Sequence, residues 1–154
     1  SMLCHCDHIA RKECLDHFYQ RWQNDPLVID KWFSIQAQAK RRDTIDAVTS
    51  LLAHPAYNRL NPNRVRALVG AFSQNNLIGF HNRSGAGYRF LSDQVIELDQ
   101  NNPQTAGRLI APLIDWKKFN PERQEMMKNE LQRVIETSGL SKNTYEIASK
   151  GLNQ

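Results

Sequence analysis

The sequence has no run approaching the ~18 continuous apolar residues of a membrane-spanning helix, so no membrane partner is expected. Cys4, His5, Cys6, Asp7 and His8 stand where a secretory leader would carry its apolar segment, so no leader is expected; Ser1-Met2 reads as the scar of a cleaved tag. Cysteine is scarce. Three residues, an odd number, argue against a disulfide framework and for a reducing compartment, so a cytoplasmic location is expected. Catalytic signatures are missing as well. No His is followed by Glu, so there is no H-E-x-x-H zinc helix. There is no G-x-S-x-G elbow and no Walker loop. No catalytic residue and no cofactor is assigned to the chain itself.

Acidic residues are also missing over a long stretch. Between Asp46 and Asp93 there is none, while Arg59, Arg64, Arg66, Arg83 and Arg89 fall within it. One reading is a solvated basic face. The other is a surface turned toward something anionic, such as a peptide carboxylate. Nucleic acid fits poorly, because the arginines are dispersed and the net charge is only +4.

What is present is helical patterning. Val65, Leu68, Val69 and Phe72 repeat at helical spacing, as do Ala106, Leu109, Ile110 and Leu113, and then Met127, Leu131, Val134 and Ile135. No alternation long enough for a strand competes. Asp25-Pro26, Asn61-Pro62, Asn102-Pro103 and Asn120-Pro121 each place a capping side chain before a proline, and Ser141 reads as a further cap. Eight helices are expected, near 8–24, 26–39, 43–53, 62–74, 87–100, 103–118, 121–138 and 141–151, with a kink or split at Pro112. The longest loop is expected from about Asn75 to Ala86. Prolines 26, 62 and 103 stand 36 and 41 residues apart, each interval holding two helices. That is close to the ~40–47-residue period of HEAT and armadillo repeats. The expected fold is therefore all-α: one helical domain over 1–154, a superhelical stack of antiparallel helix pairs.

Cys4, His5, Cys6 and His8, with Cys14 and His17 beyond, invite a metal reading. Cys4 and Cys6 have one residue between them where zinc sites usually have two to four, so incidental thiols are the favoured reading and no metal ligand is assigned. Trp22, Trp32 and Trp116 lie in amphipathic segments and are expected in the core. Gln104 and Arg108, four apart in the first turns of a proline-started helix, share a face away from the Leu109 and Leu113 stripe. Spacing alone leaves that pair either solvated or functional.

A family resemblance adds to this. Asp30-Lys31-Trp32-Phe33, Asn61-Pro62-Asn63-Arg64-Val65-Arg66, Gly70-Ala71-Phe72, Phe80-His81, Gly87-Tyr88-Arg89-Phe90-Leu91, Asn102-Pro103-Gln104, Arg108-Leu109-Ile110-Ala111-Pro112-Leu113 and Arg123-Gln124-Glu125 keep the order and spacing of the C-terminal domain of bacterial aminopeptidase N. The chain resembles that domain from about Cys14 to Leu152. The resemblance implies a larger multidomain zinc aminopeptidase of the gluzincin type, whose zinc and catalytic residues lie in another domain of the same polypeptide. It implies that the helical domain caps the catalytic domain and helps form an internal substrate cavity. It also implies that Arg66, Gln104 and Arg108 face that cavity and meet the peptide substrate. The rival reading is a free-standing helical-repeat adaptor that binds a protein or peptide.

Overall fold

The computed structural model describes residues 9–154; Ser1-Met2 and the Cys4 to His8 cluster lie outside them. Among the described residues every regular element is helical, as expected. The chain forms two compact units, Ser1–Phe80 and His81–Gln154.

The first unit holds α1 (Ile9–Trp22), α2 (Pro26–Ala37), α3 (Thr44–Leu51), α4 and α5 (Leu77–Phe80). α4 runs over 62–75 in three parts: an α turn at Pro62–Val65, a π-helical turn at Arg66–Gly70 and an α segment at Ala71–Asn75. α2 and α4 form the centre, where Ile29, Phe33, Leu68, Val69 and Phe72 are fully buried. The second unit holds α6 (Ala86–Asp99), α7 (Pro103–Leu109), α8 (Ala111–Ile114, continuing as a 3-10 turn at Asp115–Lys118), α9 (Pro121–Ile135) and α10 (Lys142–Leu152). Its core is Tyr88, Leu91, Val95, Ile110, Leu113, Met127, Leu131 and Val134. Three of the apolar stripes read from the sequence are thus the buried faces, with only Ile135 left half-buried; of Ile45, Val48, Leu51 and Leu52, expected to form a near-helical stripe as well, only Val48 is buried.

The described helices number ten against the eight expected, for two local reasons. The helix over 103–118 splits, one of the two outcomes expected at Pro112, which lacks the N–H that would continue it and instead sits in the first turn of α8. The loop expected over 75–86 contains α5. Asn76 starts it: its Oδ1 accepts from the Gly79 N–H at 3.0 Å, while its Nδ2 donates to the carbonyls of Ala37 and Ala39. The expected caps form. Asp25, Asn61, Asn102, Asn120 and Ser141 each accept a backbone N–H of the following turn.

Trp32 and Trp116 are buried, but Trp22 is 38% exposed, contrary to expectation. α1 has no buried residue at all. Its Leu15 and Tyr19 side meets α2, where Trp32 Nε1 donates to the Leu15 carbonyl at 2.9 Å and the Tyr19 and Trp32 rings lie 5.0 Å apart. Phe18 and Trp22 are left on the outer side.

In the second unit α10 packs through glycine against α7 and α8. A Cβ on Gly107 would come within 2.8 Å of both Asn143 and Ile147. At Gly151 it would meet Ile114 at 2.6 Å. The start of α10 is fixed by Asp99, 4% exposed, which accepts from the Ser141 N–H, the Ser141 hydroxyl and the Thr144 hydroxyl at 2.6–2.7 Å.

Each unit also contains a part-buried histidine. His54 Nδ1 accepts from the Ala56 N–H at 3.0 Å, and the ring packs against Tyr19 and Trp32. His81 stacks on Phe119 at 4.1 Å, its Nδ1 lies 2.7 Å from the Tyr88 hydroxyl, and its carbonyl accepts from Arg123 Nε. Burial lowers the pKa of both; Asp16 opposes this at His54, and the Arg123 charge adds to it at His81. A lowered histidine pKa means the unfolded chain binds the proton first. The stability contributed is complete above the unfolded value of about 6.5 and is lost as pH falls through the lower folded value. Urea midpoints should therefore drop between pH 7 and pH 5, with a shallower drop in His54→Gln and His81→Gln. An equally steep drop in both variants would assign the pH dependence to other groups.

Candidate functional site

The arginine-rich stretch is not uniformly exposed. Arg64 and Arg66 are two residues apart on α4 and so point to different sides of it. Arg64 turns inward: it is 8% exposed, its Nε donates to Asp30 at 2.6 Å, its Nη1 donates to the Ala56 carbonyl, and its guanidinium lies 5.5 Å from the Phe33 ring centre. A stretch free of acid in sequence thus receives a carboxylate from α2, and Arg64 leaves the candidate basic surface. Arg59, Arg66, Arg83 and Arg89 are exposed.

Arg66 opens the π-helical turn of α4. Its guanidinium donates to Asn63 Oδ1 on the preceding turn. The Ala71 N–H donates to the carbonyls of Arg66 and Leu68 and so bypasses Ala67, its partner in an ordinary α turn. The Ala67 carbonyl accepts instead from Ser34 Oγ of α2, at 2.9 Å.

Gln104 and Arg108 lie on α7, both exposed, while Ala106, Gly107 and Leu109 are buried. The one-turn spacing therefore puts an amide and a guanidinium side by side on the outer face, as expected. Asn102 fixes the start of that helix, accepting the Thr105 N–H at 3.1 Å. Together they can donate charge-assisted and neutral hydrogen bonds to a carbonyl or carboxylate.

None of Arg66, Gln104 and Arg108 lines the open groove of about 560 Å³ in the first unit. That groove is bordered by Arg11, Lys12, Tyr19, Trp32, Gln36 and His54 among others. Among the described residues no three His, Cys, Asp or Glu side chains are grouped to hold a metal, and Cys14 is exposed. The cluster of Cys4, His5, Cys6 and His8 lies outside the described residues.

Sequence reasoning missed the joint role of residues from three separate motifs. His81, Tyr88 and Arg123 meet in the second unit. Tyr88 is fully buried, and that burial raises its pKa, with Arg123 opposing. These residues are packing, not a surface. The only sequence signal was their presence among the same set of motifs that carried the exposed pair.

Comparison with known proteins places the chain. Residues 1–153 match the family described as "Domain of unknown function (DUF3458_C) ARM repeats". Aminopeptidase N of Haemophilus influenzae is 46% identical over 144 residues, and that of Caulobacter vibrioides 42% over 144. Each alignment covers 94% of this chain but 17% of the relative, so the chain spans only a small part of the curated relatives it matches. A crystal structure of Legionella pneumophila aminopeptidase A in complex with aspartic acid superposes with a TM-score of 0.94 at 36% identity, over 99% of this chain and 18% of that one. The repeat architecture and the motif resemblance agree with these matches: the chain belongs to this ARM-repeat family, and it is a C-terminal domain of the kind found in bacterial aminopeptidase N.

Proposed function

We propose that the chain is the helical domain of a zinc-dependent aminopeptidase. It caps the catalytic portion of the same polypeptide, helps enclose the substrate cavity and holds the peptide while the catalytic portion removes its N-terminal residue. The observation that supports this reading is the match of 94% of the chain to 17% of each aminopeptidase N relative. The rival adaptor reading needs the chain to be sufficient alone, and the greater length of the relatives disfavours it.

In this reading the zinc is held by the portion outside this chain, and no step is assigned to it here. What this chain contributes is positioning. Gln104 and Arg108 on α7, and separately Arg66 on α4, give exposed donors for the carbonyls and terminal carboxylate of a peptide whose N-terminus is held elsewhere. The cytoplasmic location expected from the cysteine count fits a peptidase that works on short peptides.

The isolated chain, incubated with zinc and an aminoacyl anilide, is expected to show no turnover above a matched blank. Activity that persists through repurification would overturn the assignment of catalysis to another portion.

A further inference from the structure

We propose that Ser34 and Asn63 are positioning residues for Arg66, an inference that rests on the substrate-facing reading of Arg66 above. A π turn carries one more residue than an α turn, so it breaks the regular pairing of N–H and carbonyl groups along the helix. In α4 the break is located by its bonds. The Ala71 N–H reaches Arg66 and Leu68, and the Ala67 carbonyl is taken by the Ser34 hydroxyl. A carbonyl at a buried helix–helix contact is costly to leave without a donor. Ala67 is 8% exposed, so Ser34 supplies what the π turn requires.

The turn begins at Arg66, and the extra residue sets how Arg66 is oriented relative to the buried face that follows it, Ala67 to Phe72. One further contact fixes the side chain. Asn63 Oδ1 accepts from its guanidinium. Ser34 thus acts on the backbone that carries Arg66, and Asn63 acts on the charged group. Neither needs to touch substrate.

The test uses the full-length polypeptide and two substrates, a tetrapeptide and a single-residue anilide, with the ratio of their kcat/KM values as the readout. Ser34→Ala and Asn63→Ala should each lower that ratio about 5- to 10-fold. That is less than the roughly 10- to 150-fold range for loss of a charged hydrogen bond itself. The loss should appear in the tetrapeptide KM more than in kcat, as expected when binding shared by ground and transition states is removed. Ser34→Thr, which keeps the hydroxyl, should restore most of it. Neither alanine variant should add a loss to Arg66→Ala. Asn63 is exposed, so its variant folds even where Ser34→Ala is damaged. If Arg66→Ala lowers the ratio while both alanine variants stay within about twofold of wild type, this inference alone is overturned. It is equally overturned if their losses multiply with that of Arg66→Ala. If Arg66→Ala itself leaves the ratio unchanged, the substrate-facing reading of Arg66 fails and this inference goes with it.

Discussion

Arg64→Ala should remove about 1.5–3 kcal/mol of folding stability, the range for losing a charged hydrogen bond, since the Asp30 left behind is part-buried. At this chain length that is roughly 3–12 °C in Tm. The size follows from what the truncation leaves behind. Asp30 loses a donor at 2.6 Å, the Ala56 carbonyl loses its guanidinium, and the Phe33 face loses the cation over it. The partners belong to two segments: α2 for Asp30 and Phe33, the 53–61 connection for Ala56. The variant therefore loosens the first unit at three points. Replacing both ends of the pair with apolar residues, Asp30→Leu with Arg64→Met, should cost clearly less than Arg64→Ala, because no charge is left buried without a partner. Urea melts of the three proteins decide it. A loss below about 1 kcal/mol for Arg64→Ala would mean that the pair behaves as a solvated one.

Arg108→Ala in the full-length polypeptide should lower kcat/KM for tri- and tetrapeptides by roughly 10- to 150-fold, the equivalent of one shielded charged hydrogen bond at about 1.5–3 kcal/mol. The loss on a single-residue anilide should be far smaller, because the anilide has no chain or carboxylate to place against α7. Arg108 is exposed on the face opposite Ala106 and Leu109, so its removal leaves the packing of α7 intact and the Tm should not move. Steady-state kinetics on both substrates, with a melting curve, separate the outcomes. Equal losses on both would indicate a folding or docking defect. No loss on either would return Arg108 to an ordinary solvated side chain.

The parts of the fold legible in the sequence are those governed by neighbours in the chain. Asn61, Asn102 and Asn120 cap helices because the bond is made three residues away, and proline beside each makes the signal unambiguous. The stripe of Val65, Leu68, Val69 and Phe72 is likewise local. The π turn inside that stripe was not legible, because its partner is Ser34, 33 residues earlier. Arg64 looked like one of five equivalent arginines for the same reason: Asp30, which neutralises it, is 34 residues away. Trp22 looked like core from its amphipathic segment, yet amphipathicity does not say whether a second surface is present to cover it. The candidate site divides along the same line. Spacing placed Gln104 and Arg108 on one exposed face. Their proposed role toward a peptide was not in the spacing; the resemblance implied it.

Gly107 and Gly151, where α10 lies against α7 and α8, bear on how this domain could be engineered. Replacing helical glycine with alanine is a routine way to raise thermostability, since it commonly gains about 0.4–1 kcal/mol by restricting the unfolded chain. A ranking by helix propensity would put Gly107 and Gly151 first. The close approaches put them last, because the added methyl would press on Asn143 and Ile147 at one position and on the branched side chain of Ile114 at the other. Gly107 also lies directly beside Arg108. A substitution there displaces the ends of Asn143 and Ile147 beside the residue proposed to hold the peptide, and selection for heat resistance alone would not report the effect on binding.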